Sequence, residues 1–70
     1  MSTIPSLTPK KLTGILSKKG FNLDRVKGSH QVWINQKDGK RVIVPMHKKD
    51  LPIGTLHAIL RQAGIDKSEI

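Results

Sequence analysis

The stretch Phe21–Pro45, FNLDRVKGSHQVWINQKDGKRVIVP, decides the fold. Its opening alternates at Phe21 and Leu23, then breaks at Lys27-Gly28-Ser29. The segment HQVWIN that follows is rich in β-branched and aromatic residues, which suit a pleated, half-buried surface. QKDGK carries an Asp38-Gly39 pair, a strong hairpin turn signal. RVIV is a short apolar strand, closed by Pro45, which cannot donate to a ladder. The pattern predicts three short antiparallel strands in a meander.

Working outward, a helix is predicted on each side. Upstream, Thr8 is a good N-cap and Pro9 fits the first helical position. Leu7 and Leu12 are spaced for a hydrophobic staple, and Leu12, Ile15 and Leu16 form an apolar face. Lys18 and Lys19 sit at the negative end of the helix dipole; Gly20 supplies a left-handed stop and Phe21 folds back on Leu16. This helix spans roughly residues 8 to 19. Downstream, MHKKDLP, residues 46 to 52, forms a basic connector. A second helix covers roughly residues 52 to 63, with Asp50 or a neighbour as cap, Pro52 in its first turn, and Ile53, Leu56, Ile59, Leu60 and Ala63 as its stripe. Gly64 ends it and Ile65 packs back on Leu60. Asp66 and Glu69 then stand three apart, as in a capping box.

The order is α-β-β-β-α, an α+β fold. Two short helices cannot bury both faces of a three-stranded sheet, so both are expected on one face. The other face, or one rim, is left open to solvent and to a partner. At 70 residues the chain is expected to form one domain, 1–70, in which residues 1–6 read as a leader that need not be ordered. A domain of this size buries only about 60% of the surface its unfolded chain exposes. There is no room for a deep enclosed cavity, so an active site would lie on an open face and act on something large.

Composition narrows the partners. There are no cysteines, which excludes disulfides, thiolate zinc sites and cysteine nucleophiles and fits a cytoplasmic protein. The N-terminus MSTIPSLTPKK has no long apolar run, so neither a signal peptide nor a membrane span is expected. Thirteen Lys+Arg against five Asp+Glu give a net charge of +8. That density is the footprint of a phosphate-backbone binder. The lysines are scattered over several elements rather than along one amphipathic helix, which favours nucleic acid over an anionic membrane.

Three histidines are the candidates for chemistry: His30, His47 and His57. None are at helical ligand spacing and no carboxylate cluster accompanies them, so no metal and no cofactor is expected. His57 lies mid-helix between Leu56 and Ala58 and reads as a surface or boundary residue. His47 precedes Lys48-Lys49 and is either a phosphate contact or a loop residue. His30 follows Gly28, which lets the backbone turn sharply, and Ser29, with Arg25 and Lys27 just upstream. An imidazole gives or takes a proton near neutral pH. The reaction that needs least else is cleavage of RNA through its own 2′-OH, where the substrate brings the nucleophile and the protein brings proton transfer and cations. The competing reading makes Gly28-Ser29 a turn and His30 the first residue of a strand; a lone histidine is a weak site signal. Alternation groups His30 with Val32 and Ile34, opposite Trp33, so the catalytic reading requires that group to face solvent. Trp33 and Phe21 are the whole aromatic complement, too few for extended base stacking.

KGSH opening the middle strand, GKRVIVPMH on the third, and LPIGTLHAILRQAGI as the second helix together resemble HicA-type mRNA interferase toxins, in one order over roughly residues 8 to 66. The resemblance implies a double-stranded-RNA-binding-domain-like fold and a small toxin that cleaves mRNA without metal and arrests translation. It implies that the histidine of the Gly-Ser-His motif, His30, is catalytic, with Gly28 and Ser29 matching the motif. It also implies a HicB-like antitoxin that covers the active site. The free toxin is expected to be monomeric and to enter a higher-order complex with that antitoxin. Lys27, Arg41, His47, Lys48 and Lys49 are nominated as phosphate neighbours by charge and position. The group sharing proton transfer with His30 is left open among water, a lysine and His47. Two other readings stand beside this one: a non-catalytic RNA-binding module of the same fold, and a basic protein-binding adaptor.

Overall fold

The computed structural model describes residues 6–47 and 49–70, with Lys67 described by its backbone. Residues 1–5 of the expected leader, and Lys48, lie outside the described residues. The elements run α1 (Pro9–Lys18), β1 (Phe21–Lys27), β2 (His30–Asn35), β3 (Arg41–Pro45) and α2 (Ile53–Ala63), followed by a 3-10 turn at Lys67–Glu69. The sheet is antiparallel with order β1-β2-β3. This is the α-β-β-β-α architecture that the residue pattern predicts.

α1 forms where its capping chemistry places it. Thr8 Oγ1 accepts the Lys11 N–H at 3.3 Å, and Pro9 stands at the first turn, where its missing N–H costs nothing. Leu7 and Leu12 are both buried, as the staple requires. α2 begins differently from expectation. Pro52 itself is the N-cap, with extended backbone, and no side chain caps the helix. Asp50 therefore does not cap it. The segment before α2 is tied down by its backbone, through Leu51 N–H donating to Leu7 O at 2.8 Å. α2 stops at Gly64 (φ +72), where Ile65 N–H closes on Leu60 O at 3.0 Å, the six-to-one bond of a Schellman ending.

One face of the sheet carries the core. Leu12 and Leu16 of α1 and Leu56, Ile59, Leu60 and Ala63 of α2 pack with Phe21, Val42 and Val44. Directly paired residues of antiparallel strands share a face. Trp33 pairs with Val42, and Gln31 with Val44, so both point to the helices. Trp33 is half-buried against the core and its indole N–H donates to Gln31 Oε1 at 3.1 Å. Asn35 is the buried polar residue at the end of β2 (7% exposed). Its amide donates to Lys19 O at 3.3 Å and accepts the Lys37 N–H at 3.0 Å, joining the end of α1 to the β2–β3 turn.

Candidate active site on the open sheet face

β1 and β2 are joined by two residues, Gly28 and Ser29. Gly28 has φ +57, and no non-glycine residue among those described has positive φ. Positive φ at the first central position alone defines a type II′ hairpin turn, which demands glycine there. A Cβ on Gly28 would meet nothing within 4 Å, so the demand is conformational and not steric. The turn makes Lys27 and His30 a directly paired cross-strand couple. On its other side His30 pairs with Pro45.

The orientation of His30 follows from the register. His30, Val32 and Ile34 of β2 pair with Pro45, Ile43 and Arg41 of β3, on the face away from both helices. His30 is exposed there. Val32, on the same face between Arg25 and Ile43, is only 3% exposed although it stands outside the main core cluster.

A bulge places the cations on this face. The β1–β2 register shifts between Leu23 and Arg25, leaving Asp24 as the extra residue. Strict alternation from Phe21 would turn Arg25 and Lys27 toward the helices. The extra residue turns them over, so that Arg25 pairs with Val32 and Lys27 with His30. Arg25 is thus a site-face residue that the sequence pattern did not nominate. Its charge and its position just upstream of Gly28-Ser29-His30 were its signals in the sequence. Arg25 Nε meets Asp24 Oδ2 at 3.1 Å, an exposed pair of small energetic weight.

The nominated residues divide by position. Lys27, Gly28 and Ser29 surround His30. Met46 N–H donates to Ser29 O at 2.6 Å, which brings the chain past β3 alongside the turn, and His47 is the next residue. Lys49 is exposed further along that connector. Arg41 shares the face with His30 but stands four residues from Pro45, about 14 Å along the strand. It is not a neighbour of the histidine. His57 is exposed on α2. Among the described residues no group of three or more His, Cys, Asp or Glu is placed to hold a metal ion, and no helix is long and apolar enough to cross a membrane.

An exposed imidazole beside an ammonium, held on a rigid sheet next to a tight turn, can exchange protons with a large substrate and offer charge to its phosphates. Comparison with curated proteins gives no match. Among protein families, the model described as HicA toxin of bacterial toxin-antitoxin matches residues 9–65. The match takes in both helices, all three strands and the Gly28-Ser29-His30 turn, and the chain belongs to the HicA toxin family of toxin–antitoxin systems.

Proposed function

We propose that the protein is a metal-independent endoribonuclease that cuts mRNA and arrests translation, with His30 as a proton-transfer group. The observation that carries this reading is the exposed His30 on the open sheet face, paired with Lys27. In the reaction a 2′-O–H loses its proton as its oxygen attacks the adjacent phosphorus. The bond from phosphorus to the 5′-oxygen breaks and that oxygen takes up a proton, leaving a 2′,3′-cyclic phosphate and a 5′-hydroxyl. His30 moves one of these two protons; water, Lys27 or His47 moves the other. Lys27 stabilises charge on the phosphate as it develops. Gly28 and Ser29 hold the turn against the substrate backbone, with His47, Lys48 and Lys49 as further phosphate contacts. Arg41 reaches only a more distant part of the same strand of RNA. The protein acts in the cytoplasm, as a monomer when free, and a HicB-like antitoxin silences it in a larger complex.

The test is incubation of the purified protein with single-stranded RNA. Wild type cleaves it and EDTA leaves the rate unchanged. His30→Ala abolishes cleavage and growth arrest, while its thermal midpoint stays at the wild-type value because the side chain is exposed. A His30→Ala variant that still cuts removes the assignment, and inhibition by chelation points to a metal. Wild type that binds RNA without cutting it favours the RNA-binding module instead.

A further inference from the structure

β3 is an outer strand, and its hydrogen-bond phase follows from two contacts. Asn35 N–H donates to Lys40 O at 2.8 Å and Met46 N–H donates to Ser29 O at 2.6 Å. Both contacts continue the register that pairs Trp33 with Val42 and Gln31 with Val44. Bonded pairs alternate with unbonded ones along an antiparallel ladder. Lys40, Val42, Val44 and Met46 therefore turn their backbone groups toward β2. Arg41, Ile43 and Pro45 turn theirs outward, where no further strand lies. Pro45 fits this phase, since a residue without an N–H stands where the ladder requires none. The outward N–H groups of Arg41 and Ile43 meet no partner among the described residues.

Beside this edge runs an open trough of about 720 Å³. Arg41 and Ile43 form one wall; Gly54, Thr55, Ala58 and Gln62 of α2 form the other. The α2 wall is uncharged and mostly small, so a guest backbone can lie close to it. Ile43 is 49% exposed at the rim. Arg41 takes no part in the ion pairs of the described residues, which join Lys19 to Glu69, Arg25 to Asp24 and Lys40 to Asp38. Free strand-edge donors beside a side-chain pocket are what strand addition uses: the main chain supplies the bonds and the pocket selects alternate side chains.

We propose that the outer edge of β3 and the trough against α2 receive an extended segment of the cognate antitoxin, carrying an acidic side chain that pairs with Arg41. Charge selects this occupant. A second copy of a chain with net charge +8 would bring like charges together along the same edge. A guest acidic side chain opposite Arg41 shares its face with an apolar one opposite Ile43, and the alternate side chains turn toward the α2 wall of the trough. The assignment rests on membership of a toxin–antitoxin family, not on RNA cleavage.

The experiment compares amide hydrogen exchange in the free protein and in the co-purified toxin–antitoxin complex. Val42 and Val44 amides are protected in both states. Arg41 and Ile43 amides exchange fast in the free protein and slow by about 100-fold or more in the complex, as ladder bonding requires. Ala58→Glu, an exposed substitution on the α2 wall, fills the trough and adds a negative charge. It weakens the complex at least about tenfold, or about 1.4 kcal/mol, with an unchanged thermal midpoint of the free toxin. Edge amides that stay fast in a stable complex overturn the proposal, as does wild-type affinity of Ala58→Glu. Protection that appears in the free protein as concentration rises assigns the edge to a second copy, and protection by RNA alone assigns it to RNA; either result also overturns the proposal.

Discussion

Lys27 shows how much a single residue depends on its neighbours. In the sequence it is one of thirteen basic residues. In the fold it is the direct cross-strand partner of His30, with Cβ atoms about 5 Å apart. If it contacts one phosphate of single-stranded RNA, Lys27→Ala lowers the slope of log affinity against log salt by about 0.7. Titration of RNA binding at several salt concentrations measures this; an unchanged slope removes Lys27 from the interface. Gly28 acts on the same couple through the backbone. Gly28→Val forces a β-branched residue to φ +57 and destabilises the hairpin by roughly 1–3 kcal/mol, visible as a lower denaturant midpoint at unchanged m.

At the scale of elements, two polar links hold the layers in place. Asn35 bridges α1 and the β2–β3 turn from a buried position. Asn35→Ala leaves the Lys19 carbonyl and the Lys37 N–H without that partner, at a cost of roughly 1–3 kcal/mol in chemical denaturation. The second link joins the chain end to α1. Glu69 accepts from Lys19 Nζ at 2.7 Å and from the Asp66 N–H at 2.8 Å. The Lys19 hydrogen bond first, then the Asp66 amide, hold the Glu69 carboxyl below its ordinary value of 4.5. The native state therefore binds fewer protons there than the unfolded chain. Its contribution to stability is present above pH 4.5 and is lost as pH falls through the lowered native value. Thermal midpoints of wild type and Glu69→Gln should differ slightly at pH 7 and converge in acid. A difference that grows in acid contradicts the sign. Here the sequence was legible in part: the Asp66–Glu69 spacing announced a capping box, and the Asp66 N–H bond to Glu69 is its reciprocal half. Of the expected α2 caps, Asp50 or a neighbour, Asp50 is not the one, because a favoured residue type near a helix start cannot say where the chain turns. Pro52 takes the position, with the preceding backbone tied to Leu7 O.

For the whole molecule, the small size makes the helix-covered core decisive. Proteins of this length are stable by roughly 4–10 kcal/mol. Leu56 is fully buried among residues of both helices and the sheet, and Leu56→Ala costs roughly 2–5 kcal/mol. That one truncation should lower the thermal midpoint by roughly 8 °C or more, read by circular dichroism. Ile43→Thr, on the open face, should leave the melt within a few degrees of wild type. The contrast checks that stability and the candidate site lie on opposite sides of one sheet. It also separates loss of RNA cleavage through unfolding from loss through chemistry.

The order of elements, the start of α1, the end of α2 and both hairpin turns follow from the sequence by itself. They rest on short-range chemistry: Thr8 and Pro9 at a helix start, Gly28-Ser29 and Asp38-Gly39 at turns, and apolar residues at helical or strand spacing. The exposure of His30 does not follow from it. Both sheet faces carry apolar residues, Val32, Ile34 and Ile43 on one and Trp33, Val42 and Val44 on the other, so a period of two marks two faces without saying which is covered. Packing of α1 and α2 against Val42 and Val44 decides that, and leaves His30 outside. The bulge at Asp24 then brings Arg25 and Lys27 to the histidine's side, because the turn at Gly28-Ser29 and the buried Phe21 each set the register at their own end of β1 and one residue is left over between them.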